Sequence, residues 1–140
     1  MTFRLKYIFL LPAILTVASC ELPEDIIGTP AERLEGSWTV NETSSLYKST
    51  ADIYQVYFEI NPDDSSQVLI ENFYQLGRDT YTVANVEGNN LSIPRQIVDG
   101  FEITGSGRIT QSFEAIETNY TVDDGSGQID HVQADFSKLY

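Results

Sequence analysis

From Leu34 to its last residue the chain is a series of short runs rich in Val, Ile, Thr, Tyr and Phe, cut repeatedly by Gly, Pro, Asn and Asp. No apolar stripe with a 3.6-residue period crosses these breaks. Such punctuation restricts the chain to strands joined by tight turns. In the run Ile53 to Ile60, Tyr54, Val56, Phe58 and Ile60 share one face, while Gln55 and Glu59 fall on the other. That is the period-two alternation of a sheet with one buried side.

The spacing predicts strands around Ser37 to Thr43, Ile53 to Ile60, Gln67 to Phe73, Thr80 to Val86 and Leu91 to Pro94. A hairpin follows in which Gln96-Ile97-Val98 meets Phe101-Glu102-Ile103 across Asp99-Gly100, a pair suited to a type I′ turn. Gly105 and Gly107 between Ile103 and Ile109 suggest a bulge or sharp bend. The last runs are Ser112 to Val122 and Ile129 to Leu139, with Val132, Ala134 and Phe136 facing inward and His131 outward. About eight strands with local connections predict a single, short, antiparallel up-and-down β-barrel, since closure removes exposed edges. A two-sheet sandwich is the alternative.

The N-terminus has a different character. Arg4 and Lys6 precede the apolar stretch Tyr7 to Ala18, which is too short for a comfortable membrane span. Val17-Ala18-Ser19-Cys20 resembles the bacterial lipobox, in which the Cys thiol takes a diacylglyceryl group, the peptide is cut before it and the new amino terminus is acylated, palmitate being the expected chain. Cys20 is the single Cys of the sequence and stands at the required place. The expected organisation is a lipoprotein signal peptide at 1–19, a lipidated Cys with a flexible acidic tether at 20–33, and a barrel at 34–140. The resemblance implies a bacterial cell envelope and an outer-membrane anchor. Acids soon after Cys20 also resemble surface-export signals, so surface-exposed and periplasm-facing positions both stay open.

Charge narrows the partners. With 21 acids against 8 bases the formal net charge is −13. Residues 1–19 carry two of those bases and none of the acids, so the acidity belongs to the exported part. Nucleic-acid binding depends on Lys and Arg meeting phosphates, and is not expected here.

Gly36-Ser37-Trp38, at the start of the first strand, resembles the Gly-x-Trp signature of lipocalins. Asn72-Phe73, Ile93-Pro94, Gly105-Ser106-Gly107 and Tyr120-Thr121-Val122-Asp123-Asp124-Gly125 follow in order. With the lipobox, this series resembles small lipocalin-like (calycin-like) outer-membrane lipoproteins. The resemblance implies that Trp38 closes the barrel floor. Lipocalins pack a late Arg over that Trp; here Lys138 is the nearby base.

Catalysis needs a nucleophile with a base, a metal, or paired acids of separated pKa. The one His and one Cys cannot build a zinc site of the Cys/His type, and Cys20 is taken by lipid. No enzyme activity and no cofactor are expected. Asp123, Asp124 and Asp130 could hold Ca²⁺, but Asp and Gly are also what a hairpin turn prefers, and the turn is the favoured reading. Tyr54, Phe58, Phe101, Tyr120 and Phe136 either fill the barrel or line a cavity for a small hydrophobic ligand. Two functions follow: a ligand-binding module, or a filled barrel that contacts another envelope protein.

Overall fold

The computed structural model describes residues 28–46 and 52–140. Eight strands form a closed antiparallel barrel in sequence order, with β1 returning to β8. They are β1 (Gly36–Ser44), β2 (Asp52–Ile60), β3 (Gln67–Glu71), β4 (Tyr81–Glu87), β5 (Asn90–Val98), β6 (Phe101–Ile109), β7 (Ala115–Asp123) and β8 (Ile129–Lys138). The expected up-and-down barrel is therefore the fold. In β8 strict alternation buries Asp130, Val132, Ala134 and Phe136, and His131 faces out. Asp99 (φ 49°) and Gly100 (φ 84°) both sit left-handed, as the type I′ hairpin requires.

Three local readings change. Leu91–Pro94 and Gln96–Val98 are one strand, not two, and the bulge lies there rather than at Gly105 and Gly107. Pro94 and Arg95 stand where the partner strand has one residue between Ile93↔Gly105 and Gln96↔Ile103. The extra residue moves the buried set from Leu91 and Ile93 to Val98, because a one-residue slip exchanges the two faces of a strand. The Gln96 amide closes the gap this leaves toward β4, accepting from Val83 N–H and donating to Val83 C=O, both at 2.8 Å. Ser112–Glu114, expected in β7, forms the turn before it, with Phe113 buried at positive φ. Phe73 lies in a short 3-10 turn beyond β3.

The floor is more elaborate than a tether joined to a strand. Residues 28–33, expected in the tether because of their Gly, Pro and acids, belong to the fold. Thr29 and Glu32 cap each other through Thr29 N–H to Glu32 Oε2 (2.7 Å) and Glu32 N–H to Thr29 Oγ1 (3.2 Å). This sets Ala31 and Leu34 inside the core. Trp38 is fully buried above them and donates its indole N–H to Leu34 C=O at 2.8 Å. The Lys138 ammonium lies 5.7 Å from the Trp38 ring and donates to Arg33 C=O at 2.6 Å, so it occupies the place expected for a late base. The Arg33 guanidinium in turn covers Phe113 at 3.8 Å.

Above the floor the interior is packed. Trp38, Phe58, Phe136, Phe73 and Tyr120 form a continuous chain of ring contacts with centroids 4.6–6.3 Å apart. Among the described residues Thr82 Oγ1 is a buried side-chain oxygen without a hydrogen-bond partner. Thr82→Val keeps the shape and removes that orphan, so it is expected to raise stability by about 1 kcal/mol in urea unfolding. A loss of stability would mean that the hydroxyl has a partner in solution.

Candidate functional site

The barrel opens at the end where β1, β3, β5 and β7 finish. A cavity of about 350 Å³ lies there, lined by Glu42, Tyr74, Leu76, Phe101, Val122 and Asp130, with Leu46, Asp52 and Asp124 also on its wall. Glu42 and Asp130 are the buried residues nearest this end of β1 and β8, which is why carboxylates reach the inside. The turn after β3 closes one side. Asn72, Tyr74 and Gln75 hold φ of 63°, 53° and 57°, a left-handed conformation unfavourable for residues with a Cβ. Side-chain bonds fix it: Asn72 accepts from Gly77 N–H (2.9 Å) and donates to Gln55 C=O (2.8 Å). The Tyr74 hydroxyl donates to Asp130 Oδ2 at 2.7 Å, and its ring packs on Phe101 and Tyr120 at 6.2 Å.

The two buried carboxylates differ. Asp130 is surrounded by donors: Ser44 Oγ (2.6 Å), Ser45 N–H (2.9 Å), Ser45 Oγ (3.1 Å), Leu46 N–H (3.2 Å) and Tyr74. Burial would lift its pKa, but the hydrogen bonds from Ser44, Tyr74, Leu46 and Ser45 outweigh it and hold the acid below the ordinary carboxylate range. Glu42 accepts from the hydroxyls of Tyr54 (2.5 Å) and Tyr120. Here burial outweighs both hydrogen bonds, and the charges of Asp130 and Asp52 add to it, so the Glu42 pKa is raised. Burial and the Glu42 charge also push the Tyr54 and Tyr120 phenols upward, so both remain donors at neutral pH.

The two acids make opposite contributions to the pH dependence of stability. Asp130 stabilises the fold above its unfolded pKa, and that contribution is lost as pH falls through its depressed folded value. At pH values between its unfolded and its raised folded pKa, Glu42 keeps in the native state a proton that the unfolded chain has released. Stability from Glu42 is therefore present at low pH and lost as pH rises through its raised folded value. A carboxyl-resolved NMR titration is expected to protonate Glu42 at higher pH than Asp130. The reverse order would show that the donors around Asp130 do not form.

The structure divides the aromatics that the sequence offered as a ligand-binding set. Phe101 lines the cavity, and Tyr54 and Tyr120 hold Glu42 beside it. Phe58 and Phe136 do not line it; they are 1% exposed and fill the core against Trp38 and Phe73. The Ca²⁺ grouping is not assembled either. Asp123 and Asp124 turn back to cap Gly125 and Ser126 N–H at 2.8 and 2.9 Å, while Asp130 points inside to its five donors. Among the described residues no three His, Cys, Asp or Glu side chains are grouped to hold a metal ion. Cys20 and the Val17-Ala18-Ser19 motif lie outside the described residues. Glu42 and Tyr74 were not singled out by sequence reasoning; an acid at an inward position of β1 was the available signal.

A larger concavity, about 620 Å³, runs along the outer wall over Thr43, Gly105, Asn119, Thr121, His131 and Gln133. It is an open depression bordered by the outward side chains of β1, β7 and β8 beside the β6 backbone, in contrast to the walled mouth.

No protein-family model matches the chain, and no curated protein matches it as a relative. The architecture, a closed eight-stranded antiparallel up-and-down barrel with a Trp-closed floor, is consistent with a lipocalin-like fold.

Proposed function

We propose that the chain is a lipid-anchored cell-envelope lipoprotein that holds a small ligand in the mouth of its barrel. The observation that carries the binding reading is the contrast within the barrel. Its body is filled by Trp38, Phe58, Phe73 and Phe136, yet the mouth keeps a walled space of about 350 Å³ with apolar sides and convergent polar groups. That is the usual make-up of a small-molecule site, at the low end of its size range. The anchor rests on the lipobox-like Val17-Ala18-Ser19-Cys20. Two signals of acyl attachment are enough for stable membrane anchoring.

Native mass spectrometry of the protein taken from its own host is expected to show a bound small mass that Phe101→Ala loses. A clean apoprotein mass, with no chemical-shift change at the mouth on adding a panel of small lipophiles, would refute the reading. Cys20→Ser is expected to move the protein from the membrane fraction to the soluble fraction. Retention of the variant in the membrane would refute the lipid anchor.

The filled body and the outer depression over Gly105 favour one second reading, an interaction module that docks another envelope protein on its wall. Crosslinking from a photoreactive residue at Gln133 would trap that partner. A mouth-bound ligand with no such adduct decides for the first reading.

A further inference from the structure

Resting on the mouth-binding reading, we propose that the ligand is a small organic cation: a protonated amine carried on an apolar or aromatic body. The walls of the cavity set both halves of that description. Leu76, Phe101, Val122 and the Tyr74 ring offer apolar surface, and ring faces also attract cations. Glu42, Asp52, Asp124 and Asp130 supply carboxylates to the same cavity, and none of its described lining residues is basic. Glu42 is 5% exposed and is held by two phenol hydroxyls, which orient it without cancelling its charge. Among the described residues the ion pair present is Arg95–Glu102, and Arg95 and Glu102 are absent from the cavity lining.

A buried carboxylate without a counter-charge is unfavourable, and an ammonium group entering from the mouth supplies that charge with hydrogen bonds. An anion would meet Glu42 and Asp130 as like charges. A neutral ligand would desolvate Glu42 further and return nothing. Asp130 already accepts five hydrogen bonds that clamp residues 44–46 and Tyr74, so Glu42 is the acid assigned to receive the ammonium.

The test compares three probes of nearly one shape: phenethylamine (cation), phenethyl alcohol (neutral) and 3-phenylpropionate (anion). Each is titrated at neutral pH into the isotope-labelled full-length chain in a non-ionic detergent and followed by NMR. Lys48→Gln, which removes the base adjoining the mouth in sequence, is measured alongside. The amine is expected to bind at least about tenfold more tightly than the alcohol, with the propionate weakest, in the wild type or in Lys48→Gln. Glu42→Gln keeps an acceptor for Tyr54 and Tyr120 and should bring amine and alcohol within about threefold. Asp52→Asn, at the exposed rim, should weaken the amine by about twofold and serves if the Glu42 variant does not fold. Equal binding of amine and alcohol in both the wild type and Lys48→Gln overturns the cation inference and leaves the mouth site standing. No shift at Phe101, Val122 or Leu76 with any probe overturns the mouth-binding reading itself.

Discussion

Gly105→Ala is expected to destabilise the barrel by about 3 kcal/mol, the upper range for forcing one methyl group into packed surroundings. A Cβ built at Gly105 would lie 2.4 Å from Tyr120 Cβ, 2.5 Å from Asn119 O and 2.6 Å from Tyr120 Cα. Two of these are backbone atoms of β7, paired to β6 at Gly105↔Tyr120, so no side-chain rotation relieves the clash. The strands must separate where the barrel wall is most closely drawn together. Tyr120 would shift as well, and its hydroxyl holds Glu42, so the mouth should loosen along with the wall. Urea unfolding measures the loss. Ser106→Ala, between the two glycines on an exposed surface position, is the control and should change stability by less than about 0.5 kcal/mol. Comparable stability of the two variants would show that β6 and β7 are not in this close contact.

Trp38→Ala is expected to cost about 3–5 kcal/mol, the range for removing a large buried aromatic. The side chain is 0% exposed, meets Phe58 at 5.3 Å, and ties β1 to the turn at Glu32–Leu34 through its N–H. Removing it opens a void under the aromatic core and leaves Leu34 C=O and the Lys138 ammonium without the group between them. Trp38→Phe refills most of the volume without the donor and should lose less, about 1–2 kcal/mol. Both are read by denaturant unfolding monitored by circular dichroism, since the Trp fluorescence disappears with the residue. Equal losses in the two variants would show that the hydrogen bond, and not the ring, secures the floor.

The fold was legible wherever one face of a strand is apolar and the other polar. Val132-Gln133-Ala134-Asp135-Phe136 and the Asp99-Gly100 turn each carry their geometry in local residue types. Legibility failed where geometry depends on a partner strand. Nothing within Leu91–Val98 says that Pro94 and Arg95 share one place opposite Thr104, and the glycines that suggested a bulge are needed for approach to β7 instead. Residues 28–33 read as a linker because Gly28 and Pro30 break regular structure, yet Ala31 and Leu34 are buried in the core with Trp38, and Arg33 covers the sequence-distant Phe113. The candidate site was half visible. Tyr54, Phe101 and Tyr120 belong to it, but Glu42 looked like any acid of an acidic chain until the closed barrel placed it beside phenols from β2 and β7. Tyr74 was hidden because its left-handed turn is stabilised by bonds to residues as far away as Gln55 and Asp130.

The chain enters the barrel through Thr29 to Leu34 at the floor, and the cavity opens at the far end of the same strands. Entry of the described chain and opening of the cavity therefore sit at opposite poles of the barrel. Nine residues of β1 separate them, roughly 30 Å of strand before tilt. Under the anchor proposed above, an opening on the side away from the entering chain would let a ligand arrive from solution without crossing lipid. Whatever the barrel collects, it would be positioned to take up and hand over in water, like a cup fixed by its base.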